Sequence, residues 1–337
     1  MDINKRSFSL NKSTILLTGG TGSFGKAFIA HLLSKKSFKG TIRIYSRDEF
    51  KQNALADEYK NEKRLRFFIG DVRDLPRLNL AASGCDVVVH AAALKQVPII
   101  EYNPFEAVKT NILGTQNIID TAIFNNVKRV VLISSDKAVS PVNLYGATKM
   151  VAEKIFVDAN STVGSRKIKF GVVRYGNVAG SRGSVVPLFI KQAEDNVLTI
   201  TDNRMTRFWI TLDEGVALVI KALESMSGGE IFIPKIPSVK VTDLAAAIAP
   251  KAKVKIVGIR PGEKIHESLI SQDEARHTWS MGRYFVIMPE FDFDRRLQKI
   301  KTGKKLNEGY YYSSDNNDAW LNIAQIKKML HDLDLNG

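Results

Sequence analysis

The sequence predicts an α/β fold in which a Rossmann-type, doubly wound parallel sheet is followed by a smaller C-terminal substrate-binding domain. Three observations carry this expectation. Short apolar runs alternate with helical periodicities through the first half of the 337-residue chain, the rhythm of strands joined by crossover helices. The first run, residues 13–18, opens directly onto a glycine-rich turn and then a helical run through Ala27, Phe28, Ile29, Leu32 and Leu33. A later run, residues 130–133, leads through the polar stretch 134–149 into a helical pattern over 150–156. Polar residues thus collect at a strand's carboxyl end, where open α/β sheets bind ligands.

In chain order, residues 1–12 are polar and read as a loose arm. Glycines at Gly19, Gly22 and Gly25 allow a tight turn, backbone approach to a pyrophosphate and close helix packing, with the helix amino terminus facing the anion. The second strand, residues 41–45, ends at Ser46, Arg47 and Asp48. At this point an acid would accept the ribose 2′-hydroxyl of NAD, whereas an arginine holds the 2′-phosphate of NADP. Arg47 favours NADP, with an exposed Arg47–Asp48 loop pair as the plain alternative. Residues 66–72 read as a third strand ending in a Gly70-Asp71 turn; Asp71 either faces an adenine or caps that turn. A fourth strand, residues 86–93, ends in Ala91, Ala92 and Ala93, small enough for a cofactor to lie close. Lys95 follows and can reach a phosphate or substrate oxygen, or lie at the surface. His90, inside the apolar run, reads as structural, and Cys85 as a small buried hydrophobe. The helical pattern over 103–121 carries Asn111, which can prop a backbone, hold a water beside a lysine or be satisfied packing.

Tyr145 and Lys149 are four residues apart and share one face if a helix begins near Tyr145. A cation there favours phenolate and lets a phenol of ordinary pKa ~10 exchange a proton at neutral pH. The bare spacing is no more than a surface pair; its place after a strand and a Ser-Ser-Asp-Lys loop raises it. Beyond, residues 169–174 read as a strand ending at Asn177, residues 184–189 depart into the smaller domain, residues 199–207 mix a strand end with two arginines, and residues 229–234 return to the main sheet. A closing helix carries Ile323, Ile326, Met329, Leu330 and Leu333 as core packing.

Composition narrows the partners. Apolar residues at 44% and charged residues at 25% are ordinary for a soluble globular protein. No apolar run approaches the ~20 residues that span a bilayer, and no cleavable amino-terminal segment is present, so a cytoplasmic protein without a membrane partner is expected. A single cysteine agrees with a reducing compartment. The net charge of +14 points to acidic partners. The Lys and Arg residues are spread along the chain without aromatic interleaving, which favours a small anion over nucleic acid. The local basic cluster of Arg295, Arg296, Lys299, Lys301, Lys304 and Lys305 reads as a solvated face. Five histidines show no ligand spacing, so no metal is expected.

The glycine triplet, the Asp71 turn, Asn111, and Tyr145 with Lys149 together resemble the extended short-chain dehydrogenase/reductases. The longer strings 18–25, 45–48, 70–74, 90–95, 136–137, 143–149, 174–177 and 260–264 are similar to that family's inverting UDP-N-acetylglucosamine 4,6-dehydratases, which open pseudaminic acid synthesis. The resemblance implies an NADP-binding Rossmann domain over 1–180, to which a strand near 229–234 returns. It implies mainly a nucleotide-sugar-binding domain and a C-terminal tail over 181–337. Cofactor contacts are implied at Gly19, Thr21, Gly22, Ser23, Phe24, Gly25, Ser46, Arg47, Asp48, Lys51, Asp71, Val72, Ala91, Ala92, Ala93, Lys95, Thr110, Asn111, Tyr145 and Lys149. Substrate contacts are implied at Lys95, Asn177, Val185, Pro187, Thr201, Met205, Arg207, Arg260, Glu263, Tyr312 and Asn316. The stretch 310–317 is similar to a tail that folds over the substrate, with a surface loop as the alternative. A homo-oligomer is implied in the same way.

On this resemblance Tyr145 takes the C4 hydroxyl proton as hydride passes from C4 to NADP, and the new ketone acidifies C5. Lys137, as a neutral amine, removes the C5 proton, Asp136 in its acid form protonates the departing C6 hydroxyl, and Ser135 donates to the ketone oxygen. Hydride returns to C6, and reprotonation on the opposite face inverts C5. An amine working near pH 7 must be depressed from ~10.4; burial and Lys149 push that way and an ionised Asp136 pushes back, so the pair titrates as a unit. The alternatives are a dehydratase/5-epimerase feeding UDP-N-acetyl-L-fucosamine synthesis, a C4 epimerase or reductase, which has no need of Asp136-Lys137, and a non-catalytic NADP-binding sensor, which is expected to lack Tyr145 or Lys149.

Overall fold

The computed structural model describes residues 8–180, 185–291 and 303–332. Its centre is built from β1 (Thr14–Thr18), β2 (Thr41–Ser46), β3 (Leu65–Ile69), β4 (Val87–His90), β5 (Arg129–Ser135) and β6 (Lys169–Tyr175). They lie in the order β3-β2-β1-β4-β5-β6, all parallel. The connection changes direction between β1 and β4, which opens a crevice at the carboxyl ends of those strands. Strands covered by helices on both faces need continuous rather than alternating apolar residues. That is why residues 87–89 and 130–132 are buried without a break.

Ile231–Pro234 adds beside β6 in parallel. Tyr284–Ile287, Thr278–Ser280 and Lys304–Lys305 follow antiparallel and bring the sheet to ten strands. Sequence reading anticipates only the first of these four. The other three span two to four residues each, too short for a period of two to stand out.

The helix Leu144–Thr162 starts where the spacing of Tyr145 and Lys149 requires. Asn143 caps it, its Oδ1 accepting from Gly146 N at 2.8 Å, while Asn143 Nδ2 donates to Gly262 O at 2.8 Å and ties the cap to the second half of the chain. The single helix expected over 103–121 is divided into Pro104–Ala107, a wide turn Val108–Leu113 and Gly114–Phe124. Wide helical turns of this kind recur at functional sites, and this one carries Thr110 and Asn111.

A second core of Val186, Phe189, Leu198, Ile200, Met205, Trp209, Leu244 and Ile326 holds the smaller unit. The closing helix is Ile323–His331; Ile326 is buried and Met329 and Leu330 pack on that core, but Ile323 faces outward. Leu333, Ser184, and Arg295, Arg296, Lys299 and Lys301 of the basic cluster lie outside the described residues. The arm expected to be loose is docked where it is described, since Leu10 is buried and Asn11 O accepts from Lys39 N at 2.6 Å. Residues 1–7 lie outside the described residues. Among the described residues no helix is long and apolar enough to cross a membrane, and no His, Cys, Asp or Glu group could hold a metal ion.

Gly25, in the first turn of Ser23–Ser34, packs so closely on Gly20 that an added Cβ would overlap the Gly20 backbone. Gly25→Ala is expected to cost about 1–3 kcal/mol of stability, read as a lower urea midpoint at unchanged slope; an unchanged midpoint would mean the turn yields freely.

Candidate active site

The carboxyl ends of the strands open onto a cleft of about 820 Å³. One side is a cradle for an extended anion. Gly19 has φ +67°, and a Cβ there would lie 2.9 Å from the Ala91 and Ala92 backbones, so β1 turns under the small residues that end β4. Thr21, Gly22, Ser23, Phe24, Gly25, Ser46, Arg47, Asp48, Lys51, Asp71, Val72, Ala91, Ala92, Ala93, Lys95 and Thr110 line the cleft. Thr110 Oγ1 and Ser134 Oγ are buried there without hydrogen-bond partners, and the whole surface fits a dinucleotide.

The Arg47–Asp48 loop pair that stood as the plain alternative does not form. Asp48 caps Glu49–Glu58, accepting from Lys51 N at 3.0 Å and pairing with Lys51 Nζ at 2.6 Å. Arg47 instead leans toward Asp71, 3.8 Å away, with its side chain 55% exposed. Asp71 both lines the cleft and holds its turn, accepting from Arg73 N at 2.9 Å. Asn111 does not line the cleft as expected: its amide is used up on Leu94 N, Leu94 O and Thr148 Oγ1 at 2.8, 2.9 and 3.0 Å. It props the backbone just before Lys95. His90 bridges Thr18 Oγ1 and Thr115 Oγ1 at 2.7 and 3.2 Å, and burial, helped by Lys149, pushes its pKa down to about 3. It is a neutral structural group.

On the other side of the cleft β5 ends at Ser135 and turns through Asp136–Ala138. Ser135 Oγ caps the turn and donates to Asp136 Oδ1 at 2.8 Å. Asp136 is 1% exposed and its Oδ2 has no partner. Lys137 Nζ lies 3.2 Å from Asp136 Oδ1 and 3.2 Å from Glu267 Oε1. Tyr145, Lys149 and Asn177 line the same space. Sequence reading misses Glu267; its only signal was position, three residues past the string 260–264.

The second half of the chain supplies Glu267 through a braced segment. Arg207, expected at a phosphate or ribose, donates to Thr206 O, Ile265 O and Lys264 O at 2.7, 2.9 and 3.1 Å. Ser314 Oγ joins Thr206 Oγ1 at 2.7 Å and accepts from Glu267 N at 3.0 Å. The stretch 310–317 is therefore neither a surface loop nor part of the cleft lining: Tyr312–Ser313 pairs with Ser268–Ile270. Tyr312 is buried, its hydroxyl donating to Ile236 O at 2.9 Å, and Met205 is buried in the second core. Val185, Pro187, Thr201, Arg260, Glu263 and Asn316 also stand outside the lining, whereas Lys95 and Asn177 belong to it.

Residues 15–289 match the polysaccharide biosynthesis protein family. The chain belongs to that family. It is 51% identical to the UDP-N-acetylglucosamine 4,6-dehydratase (inverting) of Campylobacter jejuni over 95% of this chain and 98% of the relative. It is 42% identical to UDP-glucose 4-epimerase of Rickettsia bellii, over 95% of this chain and 96% of that one. Among solved structures, Pen from Bacillus thuringiensis is similar at TM-score 0.89 and 36% identity, covering 98% of this chain and 100% of that one. The architecture is that of the extended short-chain dehydrogenase/reductases. The family match takes in Asp136, Lys137, Tyr145, Lys149 and Glu267, and ends before the stretch 310–317.

In this polysaccharide biosynthesis family member, charge at the site departs from the sequence expectation twice. Lys149 Nζ donates back to Ile133 O at 2.7 Å, and the cation that acts on the Tyr145 phenol is Lys137. Burial, opposed by Glu153, lowers its pKa to about 8. Burial also raises the Tyr145 phenol above its ordinary value, with Lys137 as the opposing cation and Asp136 adding to the rise. Lys137 is not a depressed amine. Burial pulls it down, but Asp136 and Glu267 together outweigh burial and hold it above its ordinary value as an ammonium. A titration of labelled lysine side chains by NMR should find the Lys149 amine with its midpoint near pH 8, missing in Lys149→Met. Because Lys149 binds a proton less readily folded than unfolded, its contribution to stability rises with pH between about 8 and the ordinary ~10.4.

Proposed function

We propose that this chain is a UDP-N-acetylglucosamine 4,6-dehydratase that inverts C5, giving UDP-2-acetamido-2,6-dideoxy-β-L-arabino-hex-4-ulose, the first step of pseudaminic acid synthesis. The observation that carries the reading is the meeting of Asp136, Lys137 and Tyr145 beside a dinucleotide cradle, in a chain 51% identical to an inverting dehydratase. Oxidation and reduction at C4 need only a proton-exchanging phenol. An acid and an amine at the same place have work when a C5–H and a C6–O bond must break.

A nicotinamide cofactor, when bound, supplies the acceptor for the C4 hydride and its donor to C6. The chain's own groups move the protons. Tyr145 takes the C4 hydroxyl proton. Lys137 and Asp136, a resting ion pair at 3.2 Å, exchange one proton to become the neutral amine and acid that the elimination requires. Lys137 then takes the C5 proton while Asp136 protonates the C6 hydroxyl, which leaves as water, and C5 is reprotonated from the opposite face. NADP is the better fit. Asp48 is already occupied by its cap and Lys51, while Arg47 and Lys51 present positive charge to the cleft. The exposed Ile99, Tyr102 and Phe105 suit pairing with a second copy, and a nucleotide-activated sugar suits a cytoplasmic setting.

The 42% identity to a UDP-glucose 4-epimerase supports a second reading, exchange at C4 without loss of water. Tyr145 in a full Tyr-x-x-x-Lys favours the pseudaminic branch over the N-acetyl-L-fucosamine one, and the retention of both Tyr145 and Lys149 disfavours a non-catalytic sensor. Incubation with UDP-N-acetylglucosamine in deuterium oxide is expected to yield a 4-keto-6-deoxy sugar with deuterium at an inverted C5. Lys137→Met should lower turnover by roughly 10²- to 10⁴-fold with NADP affinity unchanged; a 4-epimer without water loss would replace this reading with the second. Arg47→Ala is expected to raise the Kd for NADP by roughly 10- to 100-fold, about 1.5–3 kcal/mol for a charge-assisted contact, and to leave NAD binding nearly unaltered; equal losses for both would give Arg47 no part in discrimination.

A further inference from the structure

Glu267 has no part in the steps above, yet it belongs to the catalytic cluster. Its carboxylate is 2% exposed. Oε1 is as close to Lys137 Nζ, 3.2 Å, as Asp136 Oδ1 is. Oε2 is buried and accepts no hydrogen bond. Arg207 Nε and Lys264 Nζ stand 4.0 Å away, so they support the negative charge without competing for the amine. The backbone is fixed as well: Ser314 N donates to Glu267 O at 2.7 Å and Glu267 N to Ser314 Oγ at 3.0 Å. The charged and titratable groups around the carboxylate are thus Lys137 and, beyond it, Asp136 and Tyr145 from the first half, with Arg207 and Lys264 from the second.

Inversion at C5 sets a requirement that elimination alone does not. After the C5–H bond breaks, its electron pair forms the C5–C6 double bond as the C6–O bond breaks, and the proton resides on Lys137. If the amine gives that proton back, C5 regains its original configuration. Inversion needs the proton to stay on nitrogen while one derived from solvent reaches the other face. At that moment Asp136 has just passed its own proton to the departing hydroxyl, so the ammonium is flanked by two carboxylates. Of the two, Glu267 alone exchanges no proton in these steps, and it lies 4.0 Å from both Arg207 Nε and Lys264 Nζ.

We propose that Glu267 is a positioning residue that directs the stereochemical outcome: by gripping the Lys137 ammonium once it holds the C5 proton, it keeps that proton from returning to the face it left. The inference rests on the dehydratase reading and deepens it.

The test compares wild type, Glu267→Gln and Glu267→Asp on UDP-N-acetylglucosamine in deuterium oxide, with the C5 configuration and isotope of the first-formed product read by NMR. In Glu267→Gln the share of product with retained C5 configuration is expected to rise at least fivefold, with more protium kept at C5. Glu267→Asp, which keeps the charge but withdraws it by one methylene, should fall between. A merely structural role would lower turnover without moving that ratio. The wild-type ratio in both variants overturns the inference, and so does total loss of turnover in both, since elimination itself does not call on Glu267. Should Glu267→Gln fail to fold, Glu267→Asp decides by the same ratio. If wild type itself releases no water from the sugar, it is the dehydratase reading that falls.

Discussion

Lys137 held between two buried carboxylates is the interaction on which the rest of the site depends. One partner, Asp136, comes from the turn directly after β5, and the other, Glu267, from a segment more than a hundred residues later. An ammonium and two carboxylates cannot be buried together cheaply unless further charges and hydrogen bonds complete them. Arg207, Lys264 and Ser314 do so. The two halves of the chain are therefore joined at the chemistry itself. Lys264 Nζ donating to Val139 O and Asn143 Nδ2 donating to Gly262 O repeat the link on either side.

A second buried network sets the helix that presents Tyr145. Tyr145, Lys149 and Glu153 are spaced by four along Leu144–Thr162 and share one face. Glu153 ends that row by receiving Arg174 Nε at 3.0 Å, and Arg174 also reaches Glu274 at 2.8 and 3.0 Å. Both carboxylates and the guanidinium are thereby satisfied inside the protein, the condition under which buried ions are tolerated. The same network lets Glu153 oppose the burial that lowers Lys149. Rotating the helix would break ion pairs as well as apolar packing, so the phenol's aim is held by groups that never enter the cleft.

How much of this the sequence revealed follows from the range of each interaction. The six central strands, the glycine turn and the helix that begins near Tyr145 are local patterns, and they stand where periodicity and turn chemistry put them. Asp136, Lys137, Tyr145 and Lys149 were legible because fourteen consecutive residues, 136–149, contain them all. Glu267 was not, because only the fold brings it to Lys137, and neither was its share in raising the Lys137 amine against burial. Met205 and Tyr312, expected at a ligand, stand in the cores around them. The short antiparallel strands at the sheet's edge were illegible for a simpler reason, since each offers too few residues to show a period.

The sheet and the dinucleotide cradle do not by themselves choose a reaction. A chain of this fold is 51% identical to a dehydratase and 42% identical to a 4-epimerase over the same 95% of its length, as expected where function resides in sites grafted onto a shared fold. A phenol placed as Tyr145 is, if it exchanges the C4 proton as proposed, serves either outcome. What elimination adds is a demand for a base at C5 and an acid at C6 on neighbouring atoms, and on the proposed reading two adjacent residues, Asp136 and Lys137, meet it from the turn after β5. What inversion adds is a demand on where the captured proton stays. On the proposed reading that demand falls on the contacts of the Lys137 ammonium other than Asp136, and the one that the second half of the chain supplies is Glu267.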